Sequence, residues 1–210
     1  MRRLTKAAVP QVLLDNHDSW LAAWLDDKKS VLKRCKYRHP DIKKALKAET
    51  SNKCIYCESV LGVTAPGQTE HIVPSSKDEQ LHFTWENLTR ACAECNRRKN
   101  DYFQIGNEFI NPYVDDVDLE IVHFGPQLLW RDGSPRAEAS IRMLGLHGDR
   151  HELMVRKCDF LVGLQTHYDR MLREVDPLRE VLRIKLMELA DPSKEYSGMV
   201  RSFLASKGVL

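Results

Sequence analysis

The sequence predicts a mainly α-helical protein built around one small, zinc-clamped β element. Two Cys-x-x-Cys knuckles, Cys54/Cys57 and Cys92/Cys95, stand 34 residues apart. The chain on both sides of them follows the apolar period of helices. Signals for β structure are confined to the stretch between the knuckles, read as a hairpin, and to residues 120–124, which alternate as a strand does.

The elements follow in order. Val12, Leu13, Trp20, Leu21, Trp24, Leu25, Val31 and Leu32 repeat at about 3.6 residues and predict helix over 11–34. A break is expected at 16–19, where Asp18 or Ser19 could cap a second helix. Residues 41–48 predict another helix, with His39-Pro40 as the turn before it. The knuckle, hairpin and loop come next, then a short helix over 92–103. Residues 111–130 look extended, punctuated by Pro112, Gly125 and Pro126. Ser134 is the expected N-cap of a helix that carries Pro135 in its first turn and stops at Gly145. Helices over 149–175, 176–189 and 196–205 complete the chain, the last set off by Asp191-Pro192-Ser193. There is no internal repeat and no low-complexity linker. One integrated domain is therefore expected over 1–210: a basic helical region (1–49), the zinc-bracketed module (50–105), and an extended segment with helices (106–210).

Composition sets the frame. With 210 residues and 42% hydrophobic content, the chain can bury a core. No run approaches the ~20 apolar residues of a membrane span. No signal peptide is evident, so a reducing cytoplasm is the expected compartment. Net charge is only +2, but residues 28–47 carry nine basic side chains against one acid, Asp41, a local balance of +8. Lys33, Arg34, Lys43 and Lys44 in that run are candidate contacts to nucleic-acid phosphates.

The four paired cysteines predict a closed tetrahedral site for structural zinc, because each Cys-x-x-Cys turn lets two thiolates reach one ion. Disulfides fit less well, since Cys35 and Cys158 stand alone and the compartment is reducing. Those two read as small, buried or half-buried residues. Between the knuckles lie Glu70-His71-Ile72-Val73-Pro74 and Trp85-Glu86-Asn87-Leu88, and Asn96 follows the last cysteine. Adjacent residues of a strand point to opposite faces, so Glu70 and His71 share a task only where the backbone bends.

In this order the residues resemble the HNH endonuclease family, whose fold is ββα-metal. The family pattern is present as Cys54/Cys57, Glu70-His71, Asn87-Leu88 and Cys92/Cys95-Asn96 with Lys99, over about a quarter of the chain. Asn96 stands where the family often has histidine, and Glu70 where aspartate is also common. The resemblance implies that His71 is the general base, a task that suits an imidazole. It implies that Glu70 and Asn96 hold a catalytic Mg²⁺ or Mn²⁺ through oxygen. Asn87 is expected to orient His71 or brace the loop, and Arg97, Arg98 and Lys99 to contact phosphates. His82, His123, His147 and His167 show no partner pattern, and His17 and His39 read as surface or capping residues. His151-Glu152 lacks the second histidine of a zinc-protease motif, since Val155 takes its place.

The flanks, including H-P-D-I-K-K-A-L before the module and I-N-P-Y, I-R-M-L-G-L and E-Y-S-G-M-V-R after it, resemble the HNH component of Septu-type anti-phage defence systems. Similar pairs also occur beside retrons. That resemblance implies an ABC- or SMC-like ATPase as partner. Leu128, Leu129 and Trp130, the apolar positions of 178–186, or residues 10–25 are candidate docking surfaces for it. The expected activity is hydrolysis of DNA. RNA cleavage, for instance of a tRNA, and a zinc-stabilised nucleic-acid-binding module without cleavage are the alternatives.

Overall fold

The computed structural model describes residues 1–62 and 66–210. Helix α1 (Gln11–Asp26) runs without the break expected at 16–19. Asn16 donates its side-chain amide to the Val12 carbonyl and Ser19 its hydroxyl to the Asn16 carbonyl, so both polar side chains fold back onto the helix. The chain turns instead at 27–30, where Ser30 accepts from the Lys33 amide and starts the short α2 (Val31–Arg34). A 3-10 turn (Cys35–Arg38) leads to α3 (Pro40–Glu49), with His39 as its cap and proline in its first turn.

Strands β1 (Gln68–His71) and β2 (Leu88–Ala91) form an antiparallel pair in which His71 lies opposite Leu88 and Glu70 opposite Thr89. Helix α4 (Ala93–Lys99) follows at once, giving the hairpin-then-helix order of a ββα unit. It is shorter than the 92–103 expected, because Asn100 turns to a positive φ of 48° and ends it. A one-turn α5 (Val117–Glu120) precedes the hairpin of β3 (Ile121–Phe124) and β4 (Gln127–Trp130). Gly125, at φ 56°, makes the turn that joins the two strands. Helix α6 (Pro135–Leu144) ends at Gly145 in the left-handed region, as expected, although the Ser134 side chain makes no capping bond. Helices α7 (His151–Arg173), α8 (Leu178–Glu188) and α9 (Ser197–Ser206) complete the chain.

The ββα unit is packed on both sides. Trp20, Trp24, Tyr37, Ile42 and Leu46 of the N-terminal helices bury against Phe83, Trp85 and Leu88 of the module. On the other side, Ile55, Tyr56 and Ala91 pack with Ile110, Ile121, Leu128, Ile141, Leu144 and Tyr196. A smaller core joins α7, α8 and α9 through Leu164, Met171, Leu186, Val200 and Leu204. Leu128 is thus internal, Leu129 is half exposed, and Trp130 lies under the Arg142 guanidinium at 4.6 Å. Leu178, Val181 and Ile184 of α8 face outward, whereas Leu186 is buried. Cys35 is half-buried as expected, but Cys158 is exposed. The protein is mainly helical with a small β–helix core and helical extensions on either side.

Candidate active site and metal centre

The two knuckles bring their sulfurs together. The Sγ atoms of Cys54, Cys57, Cys92 and Cys95 all lie within 4.8 Å of one another. Cys57 and Cys92 are 3.9 Å apart. A tetrahedral ion with Zn–S bonds of about 2.3 Å sets its sulfurs about 3.8 Å apart, which the Cys57–Cys92 pair matches and the rest of the cage approaches to within about 1 Å. Three of the four cysteines are buried. Cys92 also caps α4, its sulfur accepting from the Cys95 amide at 3.3 Å. One partner was not legible in the sequence. Arg150, just before α7, donates to Cys95 Sγ at 3.1 Å. Burial works to lower the Arg150 pKa, but the sulfurs of Cys95, Cys57 and Cys92 raise it, so it stays a full positive charge against the thiolate cluster.

Strand β1 presents its side chains to two different places. Gln68 and Glu70 face α4: Asn96 donates its amide to Gln68 Oε1 at 2.6 Å, and Lys99 Nζ lies 2.8 Å from Glu70 Oε1. Lys99 is 1% exposed and also donates to the His71 carbonyl at 2.8 Å. Lys99, expected at a phosphate, is therefore turned inward, where it neutralises Glu70 and pins the end of β1. Burial raises the Glu70 pKa and Lys99 opposes that. Arg97 and Arg98 both pair with Glu94, and Arg97 is the more exposed of the two.

His71 faces the N-terminal helices. Its Nε2 is 2.9 Å from the His82 carbonyl oxygen, which can only accept, so Nε2 carries the proton and Nδ1 keeps its lone pair. Burial pushes the imidazole pKa down to about 4, against the opposing hydrogen bond to the His82 carbonyl, so the ring is neutral at pH 7. The ring packs against His82 and, edge-on, Tyr37. Asn87 braces the bend that follows β1. Its Oδ1 accepts from the Val73 amide at 2.7 Å, and its Nδ2 donates to the carbonyls of Val73 and Leu81, both at 3.0 Å.

The donors available to a catalytic cation are oxygens. Among the described residues, no protein donor reaches Asn96 Oδ1, and Glu70 retains Oε2 beside the oxygen held by Lys99. That donor type suits Mg²⁺ or Mn²⁺, with water completing most of the shell. The cysteine cage is the one cluster of three or more His, Cys, Asp or Glu ligand atoms among the described residues.

The basic run lies on the N-terminal helices that pack against the module. Lys43 and Lys44 on α3 are exposed, and Arg34 is exposed while its carbonyl accepts from His82 at 2.9 Å. Lys33 lies 3.7 and 3.6 Å from Asp26 and Asp27. Sequence reasoning passed over His82, Trp24, Tyr37 and Ser75. No spacing marks them, since they come from three separate stretches and meet only in the fold.

A hairpin, a helix, a histidine at the strand end and a four-cysteine clamp define an HNH endonuclease domain, and residues 54–102 match that family. The domain makes this protein an enzyme of the nuclease class. Over 200 residues the chain is 26% identical to the Septu protein PtuB of Bacillus mycoides (strain KBAB4), covering 80% of this chain and 66% of the relative. It is 27% identical to the Septu protein PtuB of Bacillus thuringiensis, covering 97% of this chain and 82% of that relative. The resemblance therefore extends beyond the HNH domain into both helical flanks. Among the described residues, no helix is long and apolar enough to cross a membrane.

Proposed function

We propose that this protein is a metal-dependent endonuclease that hydrolyses DNA as the effector of an anti-phage defence system and works under the control of a partner ATPase. The observation that carries the chemistry is the state of His71, neutral at pH 7 with its Nε2 proton committed to a carbonyl and, among the described residues, no partner at Nδ1. Nδ1 takes a proton from water as the water oxygen attacks phosphorus. The P–O3′ bond breaks, the 3′ oxygen leaves and takes a proton from solvent, and the products are a 5′ phosphate and a 3′ hydroxyl. Glu70 and Asn96 would hold a divalent ion through their oxygens, and that ion would supply positive charge to the phosphate and the leaving oxygen. Asn87 and Lys99 contribute by fixing the backbone at His71 and just after it. Arg97, Arg98 and the exposed lysines of α3 provide backbone-tracking charge.

The defence role and the ATPase rest on the similarity to Septu PtuB proteins. The outward Leu178, Val181 and Ile184 of α8 offer an apolar face to such a partner. The reading also takes the chain as cytoplasmic and as one integrated domain, the latter supported by the packing of both helical flanks onto the module. The test is incubation of plasmid DNA and, separately, total tRNA with the protein, Mg²⁺ or Mn²⁺, and the ATPase with ATP. Nicking or cutting of DNA that EDTA stops is the expected result. Cutting of tRNA alone would replace DNA with RNA in this proposal.

A further inference from the structure

Between His71 and the N-terminal helices stands a column of three rings. The His71 and His82 rings are nearly parallel, with centroids 4.8 Å apart and planes 15° apart. His82 in turn stacks on Trp24 of α1 at 4.0 Å and 17°. Tyr37 meets both imidazoles edge-on, at 4.6 and 5.1 Å. His82 is 2% exposed, and both of its nitrogens are satisfied. Its Nε2 donates to the Arg34 carbonyl at 2.9 Å, which leaves Nδ1 to accept from the Ser75 hydroxyl at 2.6 Å.

A buried imidazole costs more than a phenyl ring of similar size unless its hydrogen bonds are made, so a ring that only filled space here would be apolar. The consequence of the clamp lies in the backbone. The carbonyl that accepts from His71 Nε2 belongs to His82 itself. The preceding carbonyl, of Leu81, is held by Asn87. Fixing the His82 ring at both nitrogens and on both faces therefore fixes the peptide that sets the His71 tautomer.

We propose that His82 is the positioning residue of the catalytic base: its clamped ring holds its own carbonyl where it keeps His71 in the Nε2–H form, with Nδ1 left as the proton acceptor. The inference rests on the reading of His71 as base. It makes the N-terminal helices part of the active site, since Trp24 and the Arg34 carbonyl supply half of the clamp. His82 does not act as a ligand or acid in its own right, because neither nitrogen is free.

The test combines steady-state cleavage by the zinc-loaded full chain with ¹⁵N spectra of its histidine rings. His82→Phe keeps a ring in the column and removes both hydrogen bonds. Expected is a fall in kcat of roughly tenfold to a hundredfold, part of the 10²–10⁴ a positioned base contributes. KM should stay within about threefold. The His71 nitrogens should move from the Nε2–H pattern to a mixture of tautomers. His82→Gln, which returns a donor to the Arg34 carbonyl, should recover part of both. Unchanged kcat in His82→Phe, or a loss of kcat with the His71 spectrum unmoved, would overturn the proposal. Should His82→Phe fail to fold or to hold zinc, Ser75→Ala removes one bond of the clamp and carries the same two readouts. If it moved neither, the proposal fails. If the wild-type protein, given Mg²⁺ or Mn²⁺ and the partner ATPase with ATP, cleaved nothing, the base reading would fall, while the ring spectra would still decide whether His82 sets the His71 tautomer.

Discussion

Lys99 shows how much one side chain can contribute when it is turned inward. Its ammonium joins Glu70 and the His71 carbonyl, with side-chain exposures of 1% and 6% for the ion pair. Removing one member of such a pair leaves an uncompensated buried charge. Lys99→Met should therefore destabilise the protein by about 3–5 kcal/mol. Urea unfolding of the zinc-loaded protein measures this, and a change under ~1 kcal/mol, the range of an exposed pair, would contradict it. Four residues at this scale, Glu70, His71, Asn87 and Asn96, were legible as a set because their order, three between the cysteine pairs and one just after the second, is informative. Lys99 was legible only as a basic residue, since exposure is a property of the fold. His82 was not legible at all: its partners Trp24, Arg34 and Ser75 are distant in sequence or separated from it by a turn.

At the level of elements, helix positions followed from periodicity and caps, and the departures have local causes. α1 continues through 16–19 because polar side chains there bond back to their own helix. α4 stops early because Asn100 takes a left-handed turn. What no pattern announced is that the start of α7 leans on the cysteine cage through Arg150. That contact links the C-terminal helices to the metal. Arg150→Ala should weaken zinc retention by roughly tenfold to a hundredfold, the usual effect of losing an outer-shell partner. Competition with a chromophoric chelator reads it, and zinc release at the wild-type rate and affinity would refute the link. α3 carries the corresponding prediction for nucleic acid. Lys43 and Lys44 are exposed, with no ion pair among the described residues. Lys43→Gln with Lys44→Gln should weaken binding evenly across sequences and lower the salt-dependence slope by about 2 if each meets a phosphate. An unchanged slope would remove α3 from the binding surface.

Across the whole molecule, buried titratable groups set a common response to acid. His71 is held at about 4 and His123 at about 3, both by burial, against 6.5 for an unperturbed imidazole. Above 6.5 neither state binds the proton, so these groups leave stability unchanged. Below 6.5 the unfolded chain takes up protons that the folded chain refuses, and stability falls as pH falls toward 3. Glu58 adds to this lower down. Burial works against its charge, but the N-terminal amine, His123 and Lys53 hold it at about 2, so its contribution is present above 4.5 and is lost as pH falls toward 2. Thermal unfolding should give a progressive fall in Tm from pH 6.5 to 4. A Tm that holds to pH 4 would contradict the assigned burial.

If His71 is the base of a metal-dependent nuclease, His71→Ala removes the proton acceptor and nothing else the reaction needs. The wild-type protein and the variant would be compared on plasmid DNA and tRNA, with Mg²⁺ or Mn²⁺ and the partner ATPase, alongside zinc content and nucleic-acid affinity. Cleavage should fall by at least about a hundredfold, while zinc and binding stay at wild-type levels. A variant that still cuts at the wild-type rate, with zinc and binding intact, would show that the proton is taken elsewhere.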